Sequence, residues 1–341
     1  MFNSVLGAFS AEMAIDPGTA MTRVLVDGQG VVCAVPSVVA IHEDRDGFRR
    51  VLAVGDEARD MEGRTPPDIR TVRPVVDGVI QDFEMLEAML RTLMMQVQGR
   101  RLWVGPRISI AVPYGTTDVE RRAVRESVEA TGARQVVLVE KPLAAALGAG
   151  LPVDDACGQM VVDVGAGTTT LSVVSLGGVV QCRTLRVGGD EMDEAIRRHV
   201  RDRHGVCISR AMAEAVRQAV GSAMPGGPVE VVSVRGRHLE SGWPRAVDVD
   251  SNEVRIALQE PVHKISEAVL TTLERTPPDL AADVASMGIV LVGGGALLPG
   301  LDRAISATAG LPVVVPEDPE HAVVKGAIDL VEQPEARVVA S

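Results

Sequence analysis

Aromatic side chains are almost missing from this 341-residue chain: four Phe, two Trp and one Tyr make up 2% of it. Its core must be built instead from Val, Leu, Ile, Ala and Met, and a hydrophobic content of 46% suffices for that. Cysteine is equally sparse. Cys33, Cys157, Cys182 and Cys207 stand far apart with no C-x-x-C pair, which argues against a thiolate metal site or a disulfide framework and fits a reducing compartment. Basic residues are outnumbered, 34 Lys and Arg against 46 Asp and Glu, for a net charge of −12. A nucleic-acid partner, which needs clustered cations facing phosphates, is therefore not expected. No apolar run reaches the roughly 20 residues of a membrane-spanning helix; the longest are broken at Glu140-Lys141 or at Gly293-Gly294-Gly295. The first Arg is Arg23, so the N-terminus lacks the basic segment of a secretory signal and a cytoplasmic chain is expected. The six His show no ligand spacing, and no Ser/His/Asp or Cys/His arrangement stands out.

Glycine, by contrast, is plentiful and grouped. Ile15-Asp16-Pro17-Gly18-Thr19 and Val161-Val162-Asp163-Val164-Gly165-Ala166-Gly167-Thr168-Thr169 each set a glycine turn behind an aspartate that ends an apolar run. β-Favouring residues follow both turns (Val24-Leu25-Val26 and Leu171-Ser172-Val173-Val174), so each reads as strand, tight turn, strand. Glycine lets the backbone approach a ligand and aim its N–H groups at it. An aspartate at the strand end can hold a hydrated Mg²⁺. Two such hairpins facing each other would clamp the phosphates of a nucleotide. A third turn, Ile289-Val290-Leu291-Val292-Gly293-Gly294-Gly295-Ala296-Leu297, offers a surface without side chains against which a base or ribose could lie.

Between these turns strands and helices alternate, the signature of an α/β fold. Spacing predicts helices over 83–97, 118–131 (capped near Thr116-Thr117-Asp118), 142–150, 191–204, 211–220 and 262–273. Strands are expected at 107–113, 136–139, 229–234 and 246–249. A proline-bearing stretch over 61–77 reads as a peripheral excursion, and Ser251-Asn252-Glu253 as the cap of a helix running to Pro261. The plan restarts at Asp163, a weak internal duplication.

The three turns, in this order, resemble the two phosphate motifs and the adenosine motif of the actin, sugar-kinase and heat-shock-chaperone ATPase superfamily. Residues outside the turns narrow the likeness to the MreB/Mbl family of bacterial actin homologues. They include Pro36-Ser37-Val38-Val39-Ala40-Ile41, Gly63-Arg64-Thr65-Pro66, Asp77-Gly78-Val79-Ile80-Gln81-Asp82-Phe83, the run from Val119 to Ser127, Ala144 to Pro152, and Val234-Arg235-Gly236-Arg237. The resemblance implies an actin-like bilobed α/β fold: two ribonuclease-H-like domains, each with a smaller peripheral subdomain, around a central nucleotide cleft. The expected lobes are 1–150 (peripheral part about 31–76) and 151–332 (peripheral part about 190–250), with a loose tail at 333–341. It further implies a protein that binds ATP or ADP with Mg²⁺ and polymerises with itself. Its filaments would lie at the inner face of the cytoplasmic membrane and work with the cell-wall elongation machinery that sets cell shape.

By the same resemblance Asp16 and Asp163 hold the Mg²⁺ shell through water, while Gly18, Thr19, Gly165, Gly167 and Thr168 contact phosphates. Ala20, Met21, Ala166, Gly189, Asp190, Glu214, Gly293 and Ala296 belong to the same nucleotide set, with Arg217, Gly294 and Gly295 at the nucleoside. The departures cluster. Lys141 stands where the family carries the Glu that positions the attacking water, and an ammonium has no lone pair for that task. Pro17 is expected inside the first turn, where it would remove an N–H. Met21 replaces an Asn, Ala166 a glycine, and Ala219 a ribose-contacting Glu. Slow hydrolysis is expected, with Thr168 left to orient water. Phe2, Val5, Leu6 and Phe9 share one face of an uncharged N-terminal segment, and Leu102-Trp103 lies in a loop; both are candidates for membrane contact. The alternative readings are a sugar-kinase-type phosphotransferase, a chaperone-type ATPase, or a scaffold that neither polymerises nor holds nucleotide.

Overall fold

The computed structural model describes residues 12–44, 46–98 and 105–332. They form two compact units, 1–153 together with 321–341, and 154–320.

In the first unit β1 (Glu12–Pro17), β2 (Met21–Val26) and β3 (Gly30–Pro36) form an antiparallel meander. The chain then leaves to build a peripheral piece from β4 (Val39–Glu43), β5 (Arg49–Val54), α1 (Asp56–Met61) and β6 (Ile69–Val72), with strand order β5-β4-β6. Ala58 of α1 packs there on Val38 and Ala40. After a two-stranded ribbon, β7 (Val75–Val76) and β8 (Val79–Ile80), come α2 (Phe83–Gln98), β9 (Arg107–Val112), α3 (Asp118–Glu129), β10 (Gln135–Glu140) and α4 (Lys141–Gly148). Strands β9 and β10 add in parallel to β1, giving the order β10-β9-β1-β2-β3. β1 and β9 are buried along nearly their whole length, as expected of strands in the interior of a sheet. Met85, Leu86, Met89, Leu90, Leu93 and Met94 of α2, spaced at helical period, are all essentially buried. α3 starts at a full capping box, Thr117 and Glu120 exchanging hydrogen bonds.

The closing helix, Ala322–Glu332, also belongs to this unit, not to the 151–332 lobe expected from the sequence. It packs on α4, β1 and β9, and Arg107 Nη2 donates to Val331 O at 2.7 Å. Glycine makes the crossing with α4 close. A methyl on Gly148 would stand 2.7 Å from Gly326 N and closer still to Ala322 O, and one on Gly326 would strike Ala144 O.

The second unit repeats the plan. β11 (Gln159–Val164), β12 (Thr169–Ser175) and β13 (Gly178–Leu185) form an antiparallel meander. A long insertion follows: α5 (Gly189–His204), β14 (Val206–Cys207), α6 (Arg210–Val220), β15 (Val231–His238), β16 (Pro244–Asp250), α7 (Ser251–Glu274) and α8 (Pro278–Met287). Then β17 (Ile289–Val292), a 3₁₀ turn over Gly294–Leu297, α9 (Leu301–Ala309) and β18 (Val313–Val314) complete the order β13-β12-β11-β17-β18. Both five-stranded sheets thus share one topology. The core is aliphatic throughout: among the described residues none of the buried hydrophobics is Phe, Tyr or Trp. The 61–77 stretch contains β6, which pairs with β4 at the edge of its sheet. The helix continues past Pro261, as expected, and forms one α7 of 24 residues. Its cap is Asp250, one residue early, whose side chain accepts from Asn252 N and Glu253 N.

Candidate functional site

Because β1, β9 and β10 are parallel, their carboxyl ends share one edge of the sheet, where open α/β sheets bind ligands. Asp16 lies at that edge and is only 6% exposed. The turn that follows is tied from several sides. Gly18 N donates to Met21 O at 3.0 Å, Ser37 N donates to Ala20 O at 2.8 Å, and Ser37 Oγ donates to Gly18 O at 2.6 Å. Thr22 Oγ1 and Ser37 Oγ, both fully buried, lie 2.8 Å apart. The Thr19 hydroxyl accepts from Gly78 N at 3.2 Å. A side chain on Gly18 would stand 2.6 Å from Met21 O, so the turn admits only glycine there. Pro17 is not in the turn but ends β1, paired with Thr22, and so takes no N–H from the turn.

Lys141, the first residue of α4, reaches the same edge. Its Nζ lies 2.7 Å from Asp16 Oδ1, with 20% of the lysine side chain and 8% of the aspartate side chain exposed. It does not point into solvent. The contact is an ion pair by distance, although Asp16 Oδ1 receives no aligned hydrogen bond. Glu140 is held elsewhere, its Oε1 accepting from Arg121 Nη2 at 3.1 Å.

In the second unit Asp163, the penultimate residue of β11, is in register with Val292 of the parallel strand β17, so the glycine turn after Val292 falls beside it. Gly293 has φ of 85°; a methyl there would overlap Asp163 Oδ1 and stand 2.5 Å from Val164 O. Gly295 abuts the Val164 side chain, whereas Gly294 is exposed with open space beside it. The turn over 165–168 rests on the N-terminus of α5. Gly165 N donates to Thr168 O at 2.8 Å, and the Gly165 and Ala166 carbonyls accept from Gly189 N at 3.1 Å and Asp190 N at 2.8 Å. Asp190 pairs with Arg210. Arg217 of α6, one turn beyond Glu214, has Nη2 3.3 Å from where a Gly189 methyl would be, and its Nε donates to Asp193 Oδ1 at 2.6 Å. Burial pushes the Asp193 carboxyl up to about 6, against the opposing pull of Arg217. The fold therefore gathers Asp163, Gly165, Ala166, Gly167, Thr168, Gly189, Asp190, Arg217, Gly293, Gly295 and Ala296 around one end of this unit's sheet, while Ala219 is exposed on α6.

A hydrated divalent cation fits the second unit, where the Asp163 carboxylate lies against glycine backbone that a side chain would fill. It fits the first unit poorly, because Asp16 is already in contact with an ammonium. Phe2, Val5, Leu6, Phe9, Leu102 and Trp103 lie outside the described residues. No helix among the described residues is long and apolar enough to cross a membrane. Ser37, Gly78 and Asp193 join the site through their contacts with Gly18, Thr19 and Arg217, which the sequence motifs do not mark. Asp193 carries a readable signal, an acid on the face of α5 that buries Met192 and Ile196, where a charge requires a partner.

Two α/β units of identical sheet order, each with an Asp–glycine turn at the carboxyl end of its first strand, define an actin-like protein. The comparisons with known proteins are specific. The MreB/Mbl protein family model matches residues 10–338, and the chain belongs to the MreB/Mbl family. It is 50% identical to the cell shape-determining protein MreB of Escherichia coli (strain K12) over 96% of this chain and 94% of that one. It is 41% identical to the cell shape-determining protein Mbl of Bacillus subtilis (strain 168), covering 93% and 95%. Among solved structures it is similar to MreB 5 of Spiroplasma citri bound to AMPPNP, with a TM-score of 0.89, 33% identity and coverage of 96% and 97%. It is also similar to a MamK double helical filament, with a TM-score of 0.78, 25% identity and coverage of 95% and 99%.

Proposed function

We propose that this chain is a cytoskeletal, cell-shape-determining protein that binds ATP or ADP and polymerises into filaments at the inner face of the cytoplasmic membrane, where they organise wall synthesis. The observation that carries the nucleotide reading is the pair of matched turns, each held by the protein's own hydrogen bonds: Gly18 pinned by Ser37, and Gly165 and Ala166 seated on α5. Relatives of this chain have been crystallised with AMPPNP and with ADP, and a structural neighbour forms a double helical filament. Among the described residues no three His, Cys, Asp or Glu side chains converge on a metal-sized site. A cation would accordingly be held by Asp163 through water and by the nucleotide itself, where Mg²⁺ supplies charge neutralisation to the phosphates. Arg217 and the bare Gly294-Gly295 surface suit the nucleoside.

Hydrolysis is proposed to be slow. A positioned general base contributes about 10²–10⁴-fold. Lys141 cannot act as one while it is an ammonium held by Asp16, and Glu140 is engaged by Arg121. The same two contacts disfavour a phosphotransferase, which would need a carboxylate base there. Membrane attachment is assigned to Phe2, Val5, Leu6, Phe9, Leu102 and Trp103. Calorimetry with Mg-ATP tests the core of this reading: wild type should bind and Asp163→Ala should not, and equal affinity sinks the assignment. Sedimentation and electron microscopy with ATP and liposomes test the rest. Only monomers under every condition refute polymerisation. Undiminished liposome binding by a Phe2→Ser, Phe9→Ser, Trp103→Ser variant refutes the attachment.

A further inference from the structure

We propose that Lys141 is a tethered counter-ion that takes over part of the divalent cation's work at the first phosphate turn, making nucleotide affinity unusually insensitive to Mg²⁺. This rests on the nucleotide reading above. Asp16 is 6% exposed, and a carboxylate so buried needs a compensating charge. In an arrangement held by a hydrated metal, that compensation arrives with the nucleotide, and a water layer separates carboxylate and cation. Here the cation is part of the chain. Nζ and Oδ1 are 2.7 Å apart, direct contact with no room for water between them.

The lysine is also well placed to stay. It is the first residue of α4, followed at once by buried Pro142, so its backbone is fixed where β10 enters the helix. Its neighbouring acid does not compete for it, since Glu140 is bound to Arg121 at 3.1 Å. An ammonium carries three donors, and its contact with Asp16 lacks hydrogen-bond alignment, so donors remain for phosphate oxygens. The edge of the first sheet is thereby locally neutral before any metal arrives. Without Lys141, Asp16 would present a bare negative charge to an incoming polyphosphate, and only a divalent ion could bridge the two.

The experiment is calorimetric ATP binding to the full chain in excess Mg²⁺ and in EDTA, for wild type, Lys141→Gln, Lys141→Arg and Asp16→Asn/Lys141→Gln. Removing the metal should weaken Lys141→Gln at least about tenfold more than wild type, as expected for exposing one unpaired charge to phosphate at short range. Lys141→Arg should follow wild type. The double variant, which has lost both charges, should return to the wild-type metal sensitivity; a merely structural role for the lysine would not produce that return. The inference is overturned if wild type and Lys141→Gln lose equal affinity in EDTA, or if the double variant remains as metal-dependent as Lys141→Gln. Absence of ATP binding by wild type in both buffers instead overturns the nucleotide reading, and this inference with it.

Discussion

Gly148→Ala sets two known effects against each other, and the structure decides between them. Alanine in a helix interior is favoured over glycine by about 0.8–1.0 kcal/mol, so on an isolated helix the substitution would stabilise. Gly148 is not isolated. Its added methyl would stand 2.7 Å from the Ala322 carbonyl carbon and from Gly326 N, well inside the roughly 3.5–4.0 Å of a favourable contact. Those neighbours are backbone of the closing helix and cannot swing aside as a side chain could. Relief requires α4 and the closing helix to separate, which loosens their packing with β1 and β9. Overpacking of this kind costs about 1–3 kcal/mol, occasionally more, and backbone-on-backbone overlap belongs at or above the top of that range. Subtracting the propensity gain leaves a net loss of about 2 kcal/mol. For a unit of this size that is about 4–8 °C in the melting of the first unit. Urea and thermal unfolding followed by circular dichroism measure it. Gly326→Ala should cost a similar amount, and the pair should lose less than the sum, because either change alone opens the same crossing. Wild-type or higher stability for Gly148→Ala would show that the two helices do not meet as described.

Ser37→Ala should destabilise the first unit by about 1–3 kcal/mol in urea titration, because it leaves the Thr22 hydroxyl and Gly18 carbonyl without their partner; a change under about 0.5 kcal/mol would refute the clamp. Gly293→Ala should abolish ATP binding in calorimetry, since φ is 85° and the methyl meets Asp163. Gly294→Ala, with open space, should leave stability within about 0.5 kcal/mol, and the reverse ranking would contradict the turn geometry. Asp193 gives a pH signature. Its folded pKa of about 6 lies above the ordinary 3.8, so between those values the folded state holds the proton more tightly and stability falls as pH rises. That fall should level off above about 6 and be missing from Asp193→Asn in urea midpoints taken across the range; parallel profiles for the two proteins would exclude it.

The elements legible in the sequence are those whose signal is local. The helix at Phe83 shows a full apolar stripe, and Thr116-Thr117-Asp118 marks the start of α3. Asp16 and Asp163 with their glycines mark the two hairpins because strand, turn and strand follow one another directly in the chain. What escaped depends on partners distant in the chain. Ile69–Val72 is short and flanked by prolines, and becomes a strand only because β4 offers it an edge. Two helical stretches either side of Pro261 are legible, and packing of Val254, Leu258, Val262 and Ile265 on one core joins them into a single α7. In the site, the substitution at Lys141 was readable but its partner was not, since only the parallel arrangement of β1, β9 and β10 brings it to Asp16. Arg217 was placed at the nucleoside by resemblance; that Asp193 holds it needed the packing of α5 against α6.

The closing helix has a consequence for how the protein comes into being. Residues 154–320 are contiguous, so the second unit can fold as soon as that stretch has left the ribosome. The first unit cannot be completed then, although most of it was synthesised earlier, because its closing helix follows the whole of the second unit in the chain. Until residues 322–332 emerge, the apolar surfaces of α4, β1 and β9 that they cover stay open, and β1 is the strand that carries Asp16. A chaperone engaging the nascent chain would find its binding surface there, and a chain stalled or clipped near residue 320 would carry an intact second unit and an unfinished first one. Damage at the carboxyl end would thus be felt at a turn close to the amino end.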